Sequence, residues 1–193
     1  LSSSPGPDGI HPRVLREFED ILVGPLVDIF QHSLNSSLVP DKWKEANITS
    51  TFKKGSRTEP GNYRLVSLTS AVGKIMERVV KEEMTGYLKA NGLLGNLQHG
   101  FRNGLSCATN LLSYLEEVSA HLDKGVPVDV IYLDFSKAFD RVSHTELCRK
   151  LDNIGIERGV VAWIKDWLGG RQQRVVLNGH ASNWAAVESG VPQ

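Results

Sequence analysis

Residues 128–140 read Val-Asp-Val-Ile-Tyr-Leu-Asp-Phe-Ser-Lys-Ala-Phe-Asp. The run up to Leu133 is short, apolar and rich in β-branched and aromatic residues, the pattern of a buried strand. Asp134 stands where the run ends. A carboxylate there is costly to bury unless it is hydrogen-bonded, paired or bound to a metal. Strand ends beside helix starts are common positions for sites in α/β folds. A lone Asp in such a place is also a good turn cap, so Asp134 by itself leaves both roles open. Asp140 follows across the expected strand-to-helix turn. The two carboxylates could share a divalent cation, but pairing of Asp140 with Arg141 or Lys137 is the simpler expectation from spacing alone.

The remainder of the chain supplies mainly helices. Pro12 suits the first position of a helix, with Val14, Leu15, Phe18, Ile21 and Leu22 on one face. Gly24-Pro25 is expected to break that helix and open a second, with Leu26, Ile29, Phe30 and Leu34 inward. Ala46, Ile48, Ser50 and Phe52 alternate with polar residues and predict a strand. Ser70 can cap a long helix carrying Val72, Ile75, Met76, Val79 and Val80, which ends near Asn91-Gly92. Another helix is expected after Ser106, with Leu111, Leu112, Leu115, Val118 and Leu122 inward. Ser143-His144-Thr145-Glu146 has the capping-box pattern, followed by Leu147, Leu151 and Ile154. Val160, Val161, Ile164, Trp167 and Leu168 predict one more helix, stopped by Gly169-Gly170. Asn178-Gly179 signals a hairpin, with its return strand placed late, at Trp184-Ala185-Ala186-Val187. The expected class is α/β (α+β), helix-rich with short strands.

Lys+Arg and Asp+Glu both number 22, so no global basic field announces a nucleic-acid partner. The local balance differs. Residues 41–64 hold six basic and three acidic side chains. Lys53, Lys54, Arg57 and Arg64 form a set able to grip phosphates, Arg by its bidentate fork and Lys as a point charge, although such an excess is also the mark of a solvated loop. Carboxylates and a basic clamp together suggest metal-assisted phosphoryl chemistry. There is no glycine-rich loop of the P-loop type. Cys107 and Cys148 fit neither a zinc spacing nor a disulfide framework, which points to a reducing compartment. With a polar N-terminus and no long apolar stretch, an intracellular location (nucleus or cytoplasm) without membrane insertion is expected. The chain starts without Met and stops at Gly190-Val191-Pro192-Gln193, so a fragment is expected.

Taken in order, several phrases carry a specific resemblance. They are Ser4-Pro5-Gly6-Pro7-Asp8-Gly9-Ile10, Trp43-Lys44, Phe52-Lys53-Lys54-Gly55, Asn62-Tyr63-Arg64, Val66-Ser67-Leu68-Thr69-Ser70, and Gly73-Lys74-Ile75-Met76-Glu77. Gln98-His99-Gly100-Phe101-Arg102, the segment from Asp134 to Asp140, and Ser189-Gly190-Val191-Pro192-Gln193 follow. From Ser4 to Gln193 the chain resembles the reverse transcriptase domain of non-LTR (LINE-type) retrotransposons, especially the jockey-like branch. The resemblance implies a right-hand polymerase fold: an N-terminal helical extension (1–40), fingers (41–125) and an incomplete palm (126–193). It implies an RNA-directed DNA polymerase that uses an RNA template, a DNA primer, deoxynucleoside triphosphates and two Mg²⁺ ions. Asp134 would be catalytic and a metal ligand. Lys53 and Arg64 would touch the nucleotide's phosphates, with the backbone at Phe135 and Ser136 along the triphosphate. Phe139 would be the gate against a 2′-hydroxyl, and Gln193 would close over the nucleotide. Lys54, Arg57 and Arg102 would contact nucleic acid.

Departures from the family pattern are Leu65 in place of Pro, Leu105 in place of Arg, and Ser50-Thr51 in place of Pro-Ile. The Tyr/Phe-x-Asp-Asp motif that completes the family's metal site lies outside this sequence. The chain by itself is therefore expected to be inactive. The alternative is a catalytically dead remnant with at most weak nucleic-acid binding.

Overall fold

The computed structural model describes residues 4–192. Two compact units divide the chain: residues 1–82 together with 137–193, and residues 83–136.

The first unit opens with α1 (Pro12–Glu17), where Pro12 takes the first helical turn and the His11 side chain accepts the Arg13 amide at 3.1 Å. The helix breaks at Phe18, whose φ/ψ of −114°/24° is not helical, and not at Gly24-Pro25 as expected. α2 (Glu19–Ser36) runs on through Pro25. An internal proline removes one ladder bond and costs about 3 kcal/mol. Tertiary contact outweighs it: α2 packs on α7 (Arg158–Leu168), and the buried Trp163 indole N–H donates to the buried Ser33 hydroxyl at 2.9 Å. Phe30 meets Trp43 edge-on at 5.8 Å, joining α2 to the short α3 (Asp41–Lys44).

β1 (Glu45–Phe52) is the central strand of this unit. Its alternation buries Ala46 and Ile48, as the period-2 pattern predicts. β2 (Tyr63–Leu68) lies antiparallel on one side and β3 (Gln172–Leu177) parallel on the other. Asn178 and Gly179 both take positive φ (51° and 81°), so the chain reverses there as expected. The return is earlier than predicted. β4 (His180–Ala181) pairs with Val176 and Leu177 at once, and β5 (Ala185–Ala186) then pairs with Gln172 and Gln173. Ser182 divides the two: its amide donates to the Val175 carbonyl at 2.9 Å, and its hydroxyl accepts the Val175 amide at 3.0 Å. A side chain thus replaces a backbone partner and interrupts the ladder.

α4 (Ala71–Ala90) starts in this unit. The buried Ser70 hydroxyl accepts the Gly73 amide at 3.2 Å, the capping role expected of it. Val72, Met76 and Val80 are buried, whereas Ile75 and Val79 are exposed. α6 (His144–Asn153) begins at Ser143, whose hydroxyl accepts the Glu146 amide. The Glu146 carboxylate turns to Arg149 instead of closing a capping box. α7 buries Val161, Trp163, Ile164 and Leu168. From the same helix Trp167 donates to the Glu77 carboxylate at 2.9 Å, and burial pushes that carboxyl above its usual range.

The second unit holds the end of α4 and α5 (Cys107–Leu122). Ser106 and Thr109 form a reciprocal capping box, with bonds of 3.2 and 2.8 Å. Two expectations fail here. Leu111, Leu112, Leu115 and Leu122 are exposed and Val118 is half-buried, not inward. Residues 128–135 form no strand, and Ile131, Tyr132, Leu133 and Phe135 are each more than 80 % exposed. The reason is common to both: the described residues of this unit include no strand to pair the segment and no layer to cover the helix. A strand is completed by its ladder partner, not by its own propensity.

Candidate functional site

The β1–β2 hairpin builds the basic set from the backbone upward. Its register pairs Thr51 with Arg64 and Phe52 with Tyr63. Cross-strand partners share a face, so the two aromatic rings stand on one side and Arg64 on the other. The rings meet edge-on at 5.5 Å. The Lys53 amide donates to the Asn62 carbonyl at 2.9 Å, and strand alternation carries Lys53 to the Arg64 side. The loop beyond is held by its own side chains. Asn62 donates to the Ser56 carbonyl, and the Tyr63 hydroxyl donates to the Arg57 carbonyl, at 2.9 and 2.8 Å. Gly55 has φ of +83°, and a Cβ there would stand 2.5 Å from the Asn62 side chain. These constraints set the Arg57 guanidinium 4.8 Å from the Phe52 ring centre.

Lys42 pairs with Glu45 and Lys44 with Asp166, both at 2.8 Å. Burial pushes the Asp166 carboxyl up, but the Lys44 ammonium and the Val39 amide together hold it below the usual carboxylate range. Lys53, Lys54, Arg57 and Arg64 are exposed and make no ion pair among the described residues. The local positive excess is therefore concentrated at the hairpin tip.

A second construction lies where Ser189-Gly190-Val191-Pro192 returns to the turn before α6. Val191 donates its amide to the Phe139 carbonyl at 3.0 Å, and Gly190 donates to the Val142 carbonyl at 2.9 Å. The Ser189 hydroxyl donates to the Asp140 carbonyl at 3.1 Å. His144 Nε2 lies 2.7 Å from the Gly190 carbonyl; a carbonyl only accepts, so the ring nitrogen donates. Gly190 has φ of +85°, and a Cβ on it would lie 2.8 Å from the Asp140 backbone. A cavity of about 320 Å³ opens beside this clasp, with Ile48, Leu65, Asp140, Arg171, Gly190 and Pro192 in its wall.

Residues 52–193, well over half of the chain, match the family model described as reverse transcriptase (RNA-dependent DNA polymerase). The chain belongs to the reverse transcriptase family. It is 27% identical, along its whole length, to the probable RNA-directed DNA polymerase from transposon X-element of Drosophila melanogaster. The corresponding protein from mobile element jockey of the same fly is 28% identical, again over all of this chain. A Pol polyprotein from a type-1 R2 retrotransposable element of Popillia japonica is 27% identical over 84% of the chain. The chain spans only about a fifth of the length of these relatives (21%, 21% and 22%).

Against that family, the expected site residues fall as follows. Strand alternation assigns Lys53 and Arg64 to one face of the hairpin, while Arg57 lies over Phe52 on the other. Phe139 is half-buried and tied through its carbonyl to Val191. Asp134, Phe135 and Ser136 lie on the exposed end of the second unit. In that segment Tyr132, beside Tyr114 of α5, raises the Tyr114 phenol above its usual range. Arg102 donates to the Gly95 and Gln98 carbonyls at 2.9 and 3.3 Å, so part of its fork braces its own loop. Gln193 lies outside the described residues.

Among the described residues, no three His, Cys, Asp or Glu side chains stand together as a metal-holding group. Mg²⁺ requires near-octahedral oxygen ligation, so these residues do not by themselves fit the expected ions. No helix is long and apolar enough to cross a membrane among the described residues. Sequence reasoning missed the aromatic pairing under Arg57 and the part His144 plays in the clasp. Phe52 and Tyr63 carried a signal, since each flanks the basic loop. His144 carried none, because its partner is 46 residues away.

Proposed function

We propose that this chain supplies the fingers and the nucleotide-facing part of the palm of an RNA-directed DNA polymerase. The observation that carries the reading is the hairpin tip, where four cations stand without an acidic partner. In this reading Lys53 and Arg64 hold the triphosphate of an incoming deoxynucleotide, and Lys54 and Arg57 hold nucleic-acid backbone. Phe139, fixed by the clasp, bounds the sugar and excludes a 2′-hydroxyl. By the family resemblance Asp134 is the catalytic metal ligand, the Phe135–Ser136 backbone runs along the triphosphate, Gln193 closes over the nucleotide, and Arg102 contacts nucleic acid. Template recognition rests on charge and stacking, and is therefore salt-sensitive and tolerant of sequence.

The chain alone does not turn over, because Asp134 has no second and third carboxylate grouped with it among the described residues. Primer extension on an RNA template in Mg²⁺ buffer tests this. The expected result is no extension by the chain and none by Asp134→Asn. Extension that Asp134→Asn abolishes would refute it.

A further inference from the structure

We infer that the Phe52–Arg57–Tyr63 cluster is a stacking platform for an unpaired base of a single strand, separate from the phosphate grip on the other face of the hairpin. The inference rests on the nucleic-acid reading above and adds a contact of different chemistry to it.

Three observations carry it. First, the Arg57 guanidinium lies 4.8 Å from the Phe52 ring centre, and Tyr63 supports that ring edge-on at 5.5 Å. Second, the arrangement is built in rather than incidental: the Tyr63 hydroxyl grips the Arg57 carbonyl, and the Gly55 turn admits no Cβ without moving Asn62. Third, Arg57 and Phe52 are exposed, and the guanidinium makes no hydrogen bond or ion pair among the described residues. The guanidinium lies over the Phe52 ring and Arg57 is exposed, so the cluster is open to a base from solvent. Bases stack on guanidinium planes and aromatic rings whatever their sequence. The charge at the same point attracts the backbone that carries the base. Strand alternation puts Arg64 and Lys53 on the opposite side, so the triphosphate grip and the base contact lie on different faces of the hairpin.

The test compares binding of two fluorescent single-stranded oligonucleotides of equal length and charge, one with bases and one abasic, by anisotropy. RNA and DNA versions are both run. The full chain is expected to prefer the strand with bases, in RNA and DNA alike. Phe52→Leu and Arg57→Lys are each expected to weaken that strand about five- to tenfold, at the low end for one stacked base, and to leave the abasic strand unchanged. Arg57→Lys keeps the charge and leaves the strand pairing untouched, so it guards against a misfolded Phe52 variant. Lys54→Gln should weaken both strands equally. If both platform variants bind both strands like the parent while binding stays salt-dependent, the platform is wrong and the phosphate grip stands. If the parent binds neither strand at low salt, both readings fall.

Discussion

Replacing Gly190 by Ala probes the clasp that joins the Ser189–Pro192 phrase to the turn before α6. Two costs act together. The φ of +85° is a left-handed conformation that costs an L-residue about 1–2 kcal/mol. The added Cβ would meet Asp140 Cα, C and O at 2.8–2.9 Å. Those are backbone atoms, so no side-chain rotation relieves the contact, and overpacking of this kind costs about 1–3 kcal/mol. The chain can escape the clash by opening the clasp. It then loses four hydrogen bonds, from Gly190, Val191, Ser189 and His144, at roughly 1 kcal/mol each. Either route predicts a loss of about 2–4 kcal/mol, read as a lower urea midpoint at unchanged slope. Amide exchange at Gly190 and Val191 should rise by a similar free energy. A loss under about 0.5 kcal/mol, the range of ordinary surface substitutions, with exchange unaltered, would refute the reasoning.

Other perturbations read other parts of the molecule. Asp166→Ala removes the acceptor shared by Lys44 and the Val39 amide and should cost about 1–3 kcal/mol at neutral pH. Because the folded Asp166 pKa is depressed, its contribution is present above the ordinary aspartate value of about 3.9 and is lost as pH falls through the folded value. The variant should therefore show a flatter acid limb in a stability–pH profile. Trp163→Phe deletes the buried bond to Ser33 and should cost about 1–3 kcal/mol. Ser33→Ala should cost less in that background than alone, which a double-mutant cycle of denaturation midpoints will read. Ser106→Ala removes one half of the α5 capping box and should raise amide exchange over the first turn of α5, at a cost of about 1 kcal/mol.

Local signals were well preserved between sequence and structure. Ser70, Ser106 and Ser143 each cap the helix expected of them, and Asn178-Gly179 reverses the chain. These features depend on a few neighbouring residues. The alternation of Ala46 and Ile48 likewise survived, because β1 has partners on both sides. Residues 128–133 carry an equally strong strand pattern and form none, since pairing is a property of two segments. Pro25 lies inside a helix because Trp163 and Ser33, 130 residues apart, hold α2 in place. At the site, charge and composition revealed Lys53, Lys54, Arg57 and Arg64. Which face each one takes came only from the β1–β2 register. The clasp was invisible because it joins Phe139, Asp140 and His144 to residues about 50 positions later.

The most direct test of the account is the salt dependence of binding to an RNA template annealed to a DNA primer. The two unpaired cations assigned to nucleic-acid backbone, Lys54 and Arg57, predict a slope of log K against log salt of about −2, roughly a tenfold loss between about 50 and 200 mM. Lys54→Gln and Arg57→Gln should each reduce that slope by about one, whereas Lys53→Gln and Arg64→Gln should leave it unchanged and weaken nucleotide binding. A flat salt profile, or a slope unmoved by both Lys54→Gln and Arg57→Gln, would contradict the assignment of the hairpin tip as the nucleic-acid grip.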